Sequence, residues 1–203
     1  MLNFNKLTLI VAMAAAVLCS GCNDNVPGPV STGKDTIAKT IYGKVQGYKD
    51  DGIYTFKGIR YAKADRFMPP QYPDKFDGVQ KCQVYGPKAM QDQNVRWGDP
   101  TDYDFGFQFK IELMSEDCQV LNVWTPALDG KKRPVFVWIH GGGYANGSAI
   151  FLPAQDGRSL AEKGDIVVVT VNHRLNILGY LDLTALGGKY SESVNLGQKD
   201  LVK

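Results

Sequence analysis

The alternation of apolar and polar positions indicates that the folded part of the chain begins with antiparallel strands. Residues 40–62, "TIYGKVQGYKDDGIYTFKGIRYA", alternate, and turn signals at Gly47 and at 50–52 interrupt them. This pattern is typical of a hairpin or meander. Residues 119–126 alternate again and stop at Pro126. We therefore expect antiparallel strands to lead the fold.

Continuous apolar runs indicate a different kind of strand later in the chain. Residues 134–139 and 166–172 are such runs, typical of strands buried on both faces. Between them, residues 156–165 have the pattern of a short helix, and residues 195–203 resemble the opening of another. Residues 174–183, "RLNILGYLDL", are interpreted as a loop with apolar anchors.

This order of elements predicts an α/β fold in which antiparallel strands lead into a mixed, mostly parallel sheet. A sheet of this kind needs helices on both faces, and the sequence supplies too few. We therefore expect an incomplete domain, the N-terminal portion of a larger one.

The N-terminus has the pattern of an export signal. Lys6 is followed by the apolar run "LTLIVAMAAAVLCSGC", which is too short and too rich in small residues for a good membrane span. Its end resembles a bacterial lipobox, in which Cys22 would be lipidated, although Cys19 stands where lipoboxes usually carry leucine. The alternative is a cleaved secretory peptide in which Cys22 has no role.

These features divide the chain into three parts. We expect a lipoprotein-type signal peptide at 1–21, a flexible tether at 22–38, rich in polar residues, Pro and Gly, and a folded domain at 39–203. The protein would be exported and anchored to a bacterial membrane, in the periplasm or on the cell surface, or otherwise secreted.

Composition and charge exclude several classes of function. The 203 residues are 44% hydrophobic and 22% charged, as in globular proteins, and the net charge of +2 with no basic cluster gives no support for nucleic-acid binding. No metal-ligand cluster or dinucleotide motif is present, so no cofactor is implied. The membrane is expected as a partner only through Cys22, and the oligomeric state stays open.

Three consecutive glycines, Gly141 to Gly143, follow the first apolar run. Without Cβ atoms, their amides can approach a developing negative charge closely, as an oxyanion hole requires. By themselves they would fit a flexible turn equally well. His140 before them and Tyr144 after them strengthen the similarity to the HGGG-type loop of esterases.

Five segments, in order, resemble motifs of the type-B carboxylesterases, the family that includes the cholinesterases. "SEDCQVLNVWTP" resembles SEDCLxLNVxxP, "FKGIRYA" resembles FxGIPYA, and "RFMPP" resembles RFxPP. "VVVTVNHRLNILGYL" resembles VVVxxNYRLGxxGFL, and "NLGQKD" resembles NxGLxDQ. The resemblance implies an α/β-hydrolase fold and, for the whole protein, hydrolysis of carboxylic esters through an acyl-serine intermediate.

The resemblance also implies residue roles. The backbone amides of Gly142 and Gly143 would stabilise the oxyanion, with Gly141 shaping the turn. Arg66 and Glu116 would form a buried ion pair that holds the N-terminal layer on the sheet. Cys82 and Cys118 could form a disulfide in an oxidising compartment, but Ala89 stands where the family carries its first cysteine, so two unpaired thiols are the alternative.

The sequence contains no G-x-S-x-G nucleophile motif; the nearest match, residues 157–161, has the pattern of a helix start. Only two histidines occur, His140 and His173, and both are interpreted as structural. Nucleophile, acid and base are expected beyond Lys203, so the chain alone should be inactive. The alternative function is a non-catalytic, cholinesterase-like binding or adhesion protein.

The substrate stays open. Gln108 stands where cholinesterases carry their choline-binding tryptophan, which argues against a quaternary-ammonium site. The excursion between Cys82 and Cys118 is expected to form one wall of the pocket, and its aromatic residues would favour bulky apolar groups or serve only in packing: Trp97, Tyr103, Phe105, Phe107 and Phe109.

Overall fold

The described residues form two β-sheets and a few short helices. The computed structural model describes residues 30–92 and 112–203. The strands are β1 (Ile37–Lys39), β2 (Lys44–Gln46), β3 (Tyr48–Asp50), β4 (Ile53–Arg60), β5 (Val79–Lys81), β6 (Val120–Thr125), β7 (Val135–Ile139) and β8 (Val167–Val171). The α-helices are α1 (Arg158–Gly164), α2 (Asn176–Tyr180) and α3 (Leu196–Val202), and 3₁₀ turns lie at Lys34–Thr36, Pro153–Gln155, Thr184–Leu186 and Gly188–Tyr190.

The larger sheet has the strand order β3-β4-β6-β8-β7. Neighbours from β3 to β8 are antiparallel, and β7 pairs with β8 in parallel. The β3–β4 hairpin turns at Asp51 and Gly52, whose φ angles of 49° and 82° suit a tight hairpin turn. The sheet is mixed, as predicted, with its antiparallel strands first in the sequence.

The meander predicted over residues 40–62 is divided between the two sheets. β1 and β2 pair antiparallel, and β5, which the sequence did not indicate, adds to β2 in parallel. The chain changes sheet at Gly47, where a Cβ atom would overlap the carbonyl oxygen of Thr55. This close approach explains why the turn signal at Gly47 marks a change of sheet.

The tether predicted over residues 22–38 is wrong for its last part. Ser31 pairs with Lys49, Thr36 is fully buried, and β1 begins at Ile37. The signal peptide at 1–21 and Cys22 lie outside the described residues. Within the described ranges, no helix is long and apolar enough to cross a membrane.

Within the described residues, strand β7 is exposed, whereas the sequence predicts burial on both faces. Its five side chains, all apolar, are between 41% and 60% exposed. Because successive side chains of a strand point to opposite faces, the exposure of all five means that the described residues cover neither face of β7, and β8 is its one neighbour among the described strands. The other apolar run behaves as predicted, since Val168, Thr170 and Val171 in β8 are buried.

Helix α2 replaces the loop predicted at residues 174–183. Asn176 begins it with a φ of 50°, and its side-chain oxygen accepts a hydrogen bond of 3.2 Å from the amide of Leu178. This local side-chain bond supports a short helical turn without the periodic pattern that predicts longer helices. Helix α1 was predicted, and its Ala161 packs on Trp124 and Val168 of the sheet.

The two cysteines of the folded part are not joined. Cys82 packs with Val45 and Phe56, whereas Cys118 packs with Ala89 and Leu175 in a different cluster. Burial raises the pKa of Cys82 to about 11 and is the main cause that raises that of Cys118 to about 12. Both therefore stay protonated at neutral pH, and the disulfide hypothesis is replaced by its alternative, two buried thiols.

The predicted ion pair between Arg66 and Glu116 forms at the surface. Arg66 Nε donates to Glu116 Oε1 and Oε2 at 3.0 and 2.8 Å. The expected burial is wrong, because the Arg66 side chain is 62% exposed. Exposed ion pairs contribute little to stability, because water screens them.

A different ion pair is buried, between Arg174 and Asp200. The side chains are 4% and 0% exposed. Arg174 donates from Nε and Nη2 to the two Asp200 carboxylate oxygens at 2.9 and 2.7 Å, and its own amide donates to Oδ2 at 3.0 Å. The bidentate geometry leaves the two buried charges well compensated.

We predict that Arg174→Met in the full-length protein lowers the free energy of unfolding by about 3–5 kcal/mol, because Asp200 would be left as a buried, unpaired charge. Arg66→Met is the matched control and should leave the midpoint of unfolding almost unchanged. Urea unfolding followed by circular dichroism measures both. Equal destabilisation by the two substitutions would contradict this assignment.

Candidate active site

The carboxyl ends of β7 and β8 lie side by side and carry the residues of interest. Ile139, the last residue of β7, pairs with Val171, the last residue of β8. His140 and Asn172 therefore both follow the carboxyl ends of their strands, on the side of the sheet where open α/β sheets bind ligands. The glycine loop follows His140, and His173 and Arg174 follow Asn172.

The glycine loop doubles back on itself. The carbonyl of Gly142 accepts hydrogen bonds from the amides of Ala145 and Asn146, at 3.1 and 3.2 Å. Gly142 has a φ of 126°, and a Cβ atom there would overlap the Asn146 carbonyl oxygen. The turn therefore requires glycine at this position, because of both its dihedral angle and the close contact.

The three glycine amides are available as donors. Within residues 30–92 and 112–203, no hydrogen bond uses the amide of Gly141, Gly142 or Gly143. Gly141 and Gly143 are exposed, and Gly142 is half-buried. Unpaired amides in a loop of fixed shape are what the stabilisation of an oxyanion requires.

Two histidines stack behind the loop. The rings of His140 and His173 have centroids 4.7 Å apart at an interplanar angle of 27°. His140 Nδ1 lies 2.8 Å from the carbonyl oxygen of Gly141, so this nitrogen carries the proton. Burial lowers the pKa of His140, and burial together with the neighbouring His140 lowers that of His173 to about 4. Both rings are neutral at neutral pH, which fits the structural role predicted for them.

A cavity lies between the loop and the two histidines. Its volume is about 480 Å³, and its walls include the three glycines, Tyr144, Leu175 and Leu201. Three buried polar atoms of its lining residues have no hydrogen-bond partner among the described residues: His173 Nδ1, Tyr180 Oη and Gln198 Oε1. The Tyr144 and Tyr180 rings, 4.9 Å apart, lie at its side. The cavity thus combines apolar walls with a few polar groups, as ligand sites do.

Sequence reasoning identified the loop but missed the residues that hold it. Asn172 Oδ1 accepts from the amide of Ala149 at 2.7 Å, and the amide of Asn176 donates to the Tyr144 carbonyl at 2.6 Å. The side chain of Gln91 pairs with Gly147. Asn172 and Asn176 lie in the quoted motif at residues 167–181, and Gln91 lies two residues after Ala89, but sequence spacing alone does not show which backbone groups they contact.

The aromatic residues predicted to form a pocket wall are not described by the structure. The aromatic residues of the excursion, from Trp97 to Phe109, and Gln108 lie outside the described residues. Arg66 and Glu116 lie together at a neighbouring surface depression, which Asn146 and Asn176 also line.

A family comparison places the chain. The family model described as "Carboxylesterase family" matches residues 34–203. The chain therefore belongs to the carboxylesterase family, in agreement with the resemblance found in its motifs.

Relatives of known activity are longer proteins. The chain is 36% identical over 164 residues to a para-nitrobenzyl esterase of Bacillus subtilis, a match that covers 79% of this chain and 32% of the relative. It is 40% identical over 149 residues to a phenmedipham hydrolase of Pseudarthrobacter oxydans, with 71% and 29% covered. The chain thus spans about a third of the length of these relatives.

Solved structures agree on the fold. A Clostridium hathewayi esterase, described as hydrolysing aliphatic aromatic polyesters, superposes with a TM-score of 0.79 at 41% identity, covering 86% of this chain and 34% of that one. A Geobacillus stearothermophilus carboxylesterase superposes with a TM-score of 0.69 at 42% identity, covering 82% and 33%. These matches confirm the predicted α/β-hydrolase fold, of which this chain forms the first part.

We predict that His173 makes the full-length protein less stable in acid. In the native protein the pKa of His173 is lowered from 6.5 to about 4. Between these two pH values, His173 therefore binds a proton in the unfolded chain but not in the native protein. Stability should therefore fall as the pH drops from about 6.5 towards about 4, by about 3 kcal/mol in all.

Phenylalanine keeps the ring stack of His173 but cannot take up a proton. The loss of unfolding free energy between neutral pH and a pH of about 4.5 should thus be smaller in His173→Phe than in the parent. Urea unfolding at the two pH values measures this difference. Identical losses in parent and variant would show that His173 does not titrate in this way.

Proposed function

We propose that the full-length protein hydrolyses carboxylic esters through an acyl-serine intermediate, and that this chain supplies its oxyanion hole. The observation that carries the proposal is that the amides of Gly141, Gly142 and Gly143, at the carboxyl end of β7, have no hydrogen-bond partner among the described residues. Membership of the carboxylesterase family and the esterase activity named for several relatives support it.

In the proposed reaction, a serine oxygen attacks the ester carbonyl carbon while a histidine takes the serine proton. The carbonyl π electrons move to the oxygen, and the amides of Gly142 and Gly143 donate hydrogen bonds to the resulting oxyanion. Collapse of the tetrahedral species releases the alcohol, which receives the proton, and water then releases the acid from the acyl-serine.

The serine, its acid and its base are proposed to lie outside this chain. The sequence has no G-x-S-x-G motif, and the two histidines form the buried stack behind the loop. Residues 1–203 alone are therefore proposed to be inactive. The natural substrate is proposed only as a carboxylic ester that fits beside the loop, where Tyr144 and Tyr180 offer an aromatic wall.

The function is tested with Gly142→Ala in the full-length protein and p-nitrophenyl butyrate as substrate. A methyl group at Gly142 would overlap the Asn146 carbonyl and displace the amides, so kcat should fall on the order of 10²-fold with little change in KM. Gly187→Ala is the matched control, because Gly187 also has a positive φ, of 63°, but has open space around it.

The outcomes separate the hypotheses. If Gly142→Ala is folded and retains the parent's kcat, the loop is not the oxyanion hole. If the parent itself turns over no ester above the level of residues 1–203, the proposed activity is wrong, and the alternative, a non-catalytic binding or adhesion protein, is favoured instead.

We further propose that the protein is exported and anchored through a lipid on Cys22. The support is the pattern of residues 7–22, which resembles a lipoprotein signal. In a bacterial host, Cys22→Ser should abolish labelling by radioactive palmitate and release the protein from the membrane fraction. Cys19→Ser is the matched control and should keep both. Labelling that survives Cys22→Ser would contradict this anchor.

A further inference from the structure

The two ends of the glycine loop are in direct contact. A Cβ atom on Gly147 would overlap both the carbonyl oxygen of Gly141 and Nδ1 of His140. A Cβ atom on Gly142 would overlap the carbonyl oxygen of Asn146. The outgoing segment, Asn146 and Gly147, therefore supports the incoming segment that carries the free amides. A shift of Gly147 towards the loop would therefore displace Gly141.

One side chain holds Gly147 by both of its backbone polar groups. Gln91 Oε1 accepts from the amide of Gly147 at 2.8 Å, and Gln91 Nε2 donates to the carbonyl of Gly147, also at 2.8 Å. Nε2 also donates to the carbonyl of Ala89 at 3.0 Å. These three bonds use the oxygen as acceptor and the nitrogen as donor throughout, so the orientation of the amide group is determined.

Gln91 is itself attached to a fixed part of the fold. Ala89 is buried against Cys118 and Leu175. The preceding residue, Lys88, donates its amide to the Leu113 carbonyl at 2.9 Å and accepts from the Ser115 amide at 3.0 Å. The backbone that carries Gln91 is therefore fixed by the packing of Ala89 in the core and by the hydrogen bonds of Lys88 to Leu113 and Ser115.

We infer that Gln91 is a positioning residue for the oxyanion hole: its amide group fixes Gly147 and, through Gly147, the amides of Gly141 to Gly143. The catalytic consequence of this inference rests on the proposed function. The fixing of Gly147 by Gln91 does not. Donors misplaced by a fraction of an ångström lose transition-state stabilisation without weakening the binding of the substrate.

The test uses Gln91→Glu in the full-length protein. The substitution keeps the size of the side chain but places a second carboxylate oxygen against the carbonyls of Gly147 and Ala89. We expect kcat for p-nitrophenyl butyrate to fall about tenfold or more with little change in KM. The inhibition constant of a trifluoromethyl ketone, whose serine adduct carries an oxyanion, should rise by a similar factor.

Gln83→Glu is the matched control. Gln83 also donates through Nε2 to a glycine carbonyl, that of Gly47, at 3.1 Å, but it lies outside the loop. It should keep the kcat of the parent even if its midpoint of unfolding falls as much as that of Gln91→Glu. Should Gln91→Glu fail to fold, Gln91→Met, which adds no charge, carries the same comparison.

Hydrogen exchange separates this inference from the proposed function. Backbone amides of residues 140–147 should exchange faster in Gln91→Glu than in the parent and in Gln83→Glu, whether or not the parent hydrolyses esters. A parent without esterase activity but with this exchange pattern overturns the proposed function alone. Unchanged exchange and an unchanged kcat in the folded Gln91 variants overturn the positioning role.

Discussion

The ion pair between Arg174 and Asp200 joins the parts of the fold on which the candidate site is built. Arg174 follows β8 and reaches Asp200 in α3, while its Nη1 donates to the Met68 carbonyl at 2.8 Å. One guanidinium thus connects the end of β8, helix α3 and Met68, which lies between β4 and β5. Because both charges are buried, neither can separate from the other without a large desolvation cost, so the three parts keep one relative position.

With the end of β8 held, Asn172 can act as a fixed attachment point for its surroundings. Its side chain accepts from the Ala149 amide at 2.7 Å and donates to the Pro87 carbonyl at 3.1 Å, and its carbonyl accepts from the Tyr61 hydroxyl at 2.8 Å. Through Asn172, the segment that follows the glycine loop is therefore connected to Tyr61, which follows β4, and to Pro87, which follows β5. The loop gains a defined place from residues outside both β7 and helix α1, the elements that it connects.

Sequence patterns predicted those features that depend on local composition. The apolar run of β8, the short helix α1 and the glycine loop could be recognised because strand burial, a helical pattern and close backbone approach each require particular residues. For β7 the apolar run predicted burial on both faces, whereas the described residues cover neither face, because the composition of a strand does not show which segments pack on it. The buried pair was sought at Arg66 but lies at Arg174, because the surroundings of a charge depend on contacts between distant segments.

The loop of the candidate site is rich in glycine, which favours flexibility, yet its backbone has a defined conformation. This combination has a physical reason. Glycines leave amides free to face a ligand, but they also leave the backbone free to take other conformations, which would blur the positions of the donors. Here the conformational freedom is removed at the ends of the loop, by the Gln91 contacts to Gly147 and the His140 contact to Gly141, and not by side chains at the glycines themselves. Rigidity supplied from outside leaves the space in front of the amides open, which is what preorganised donors need in order to meet a developing charge.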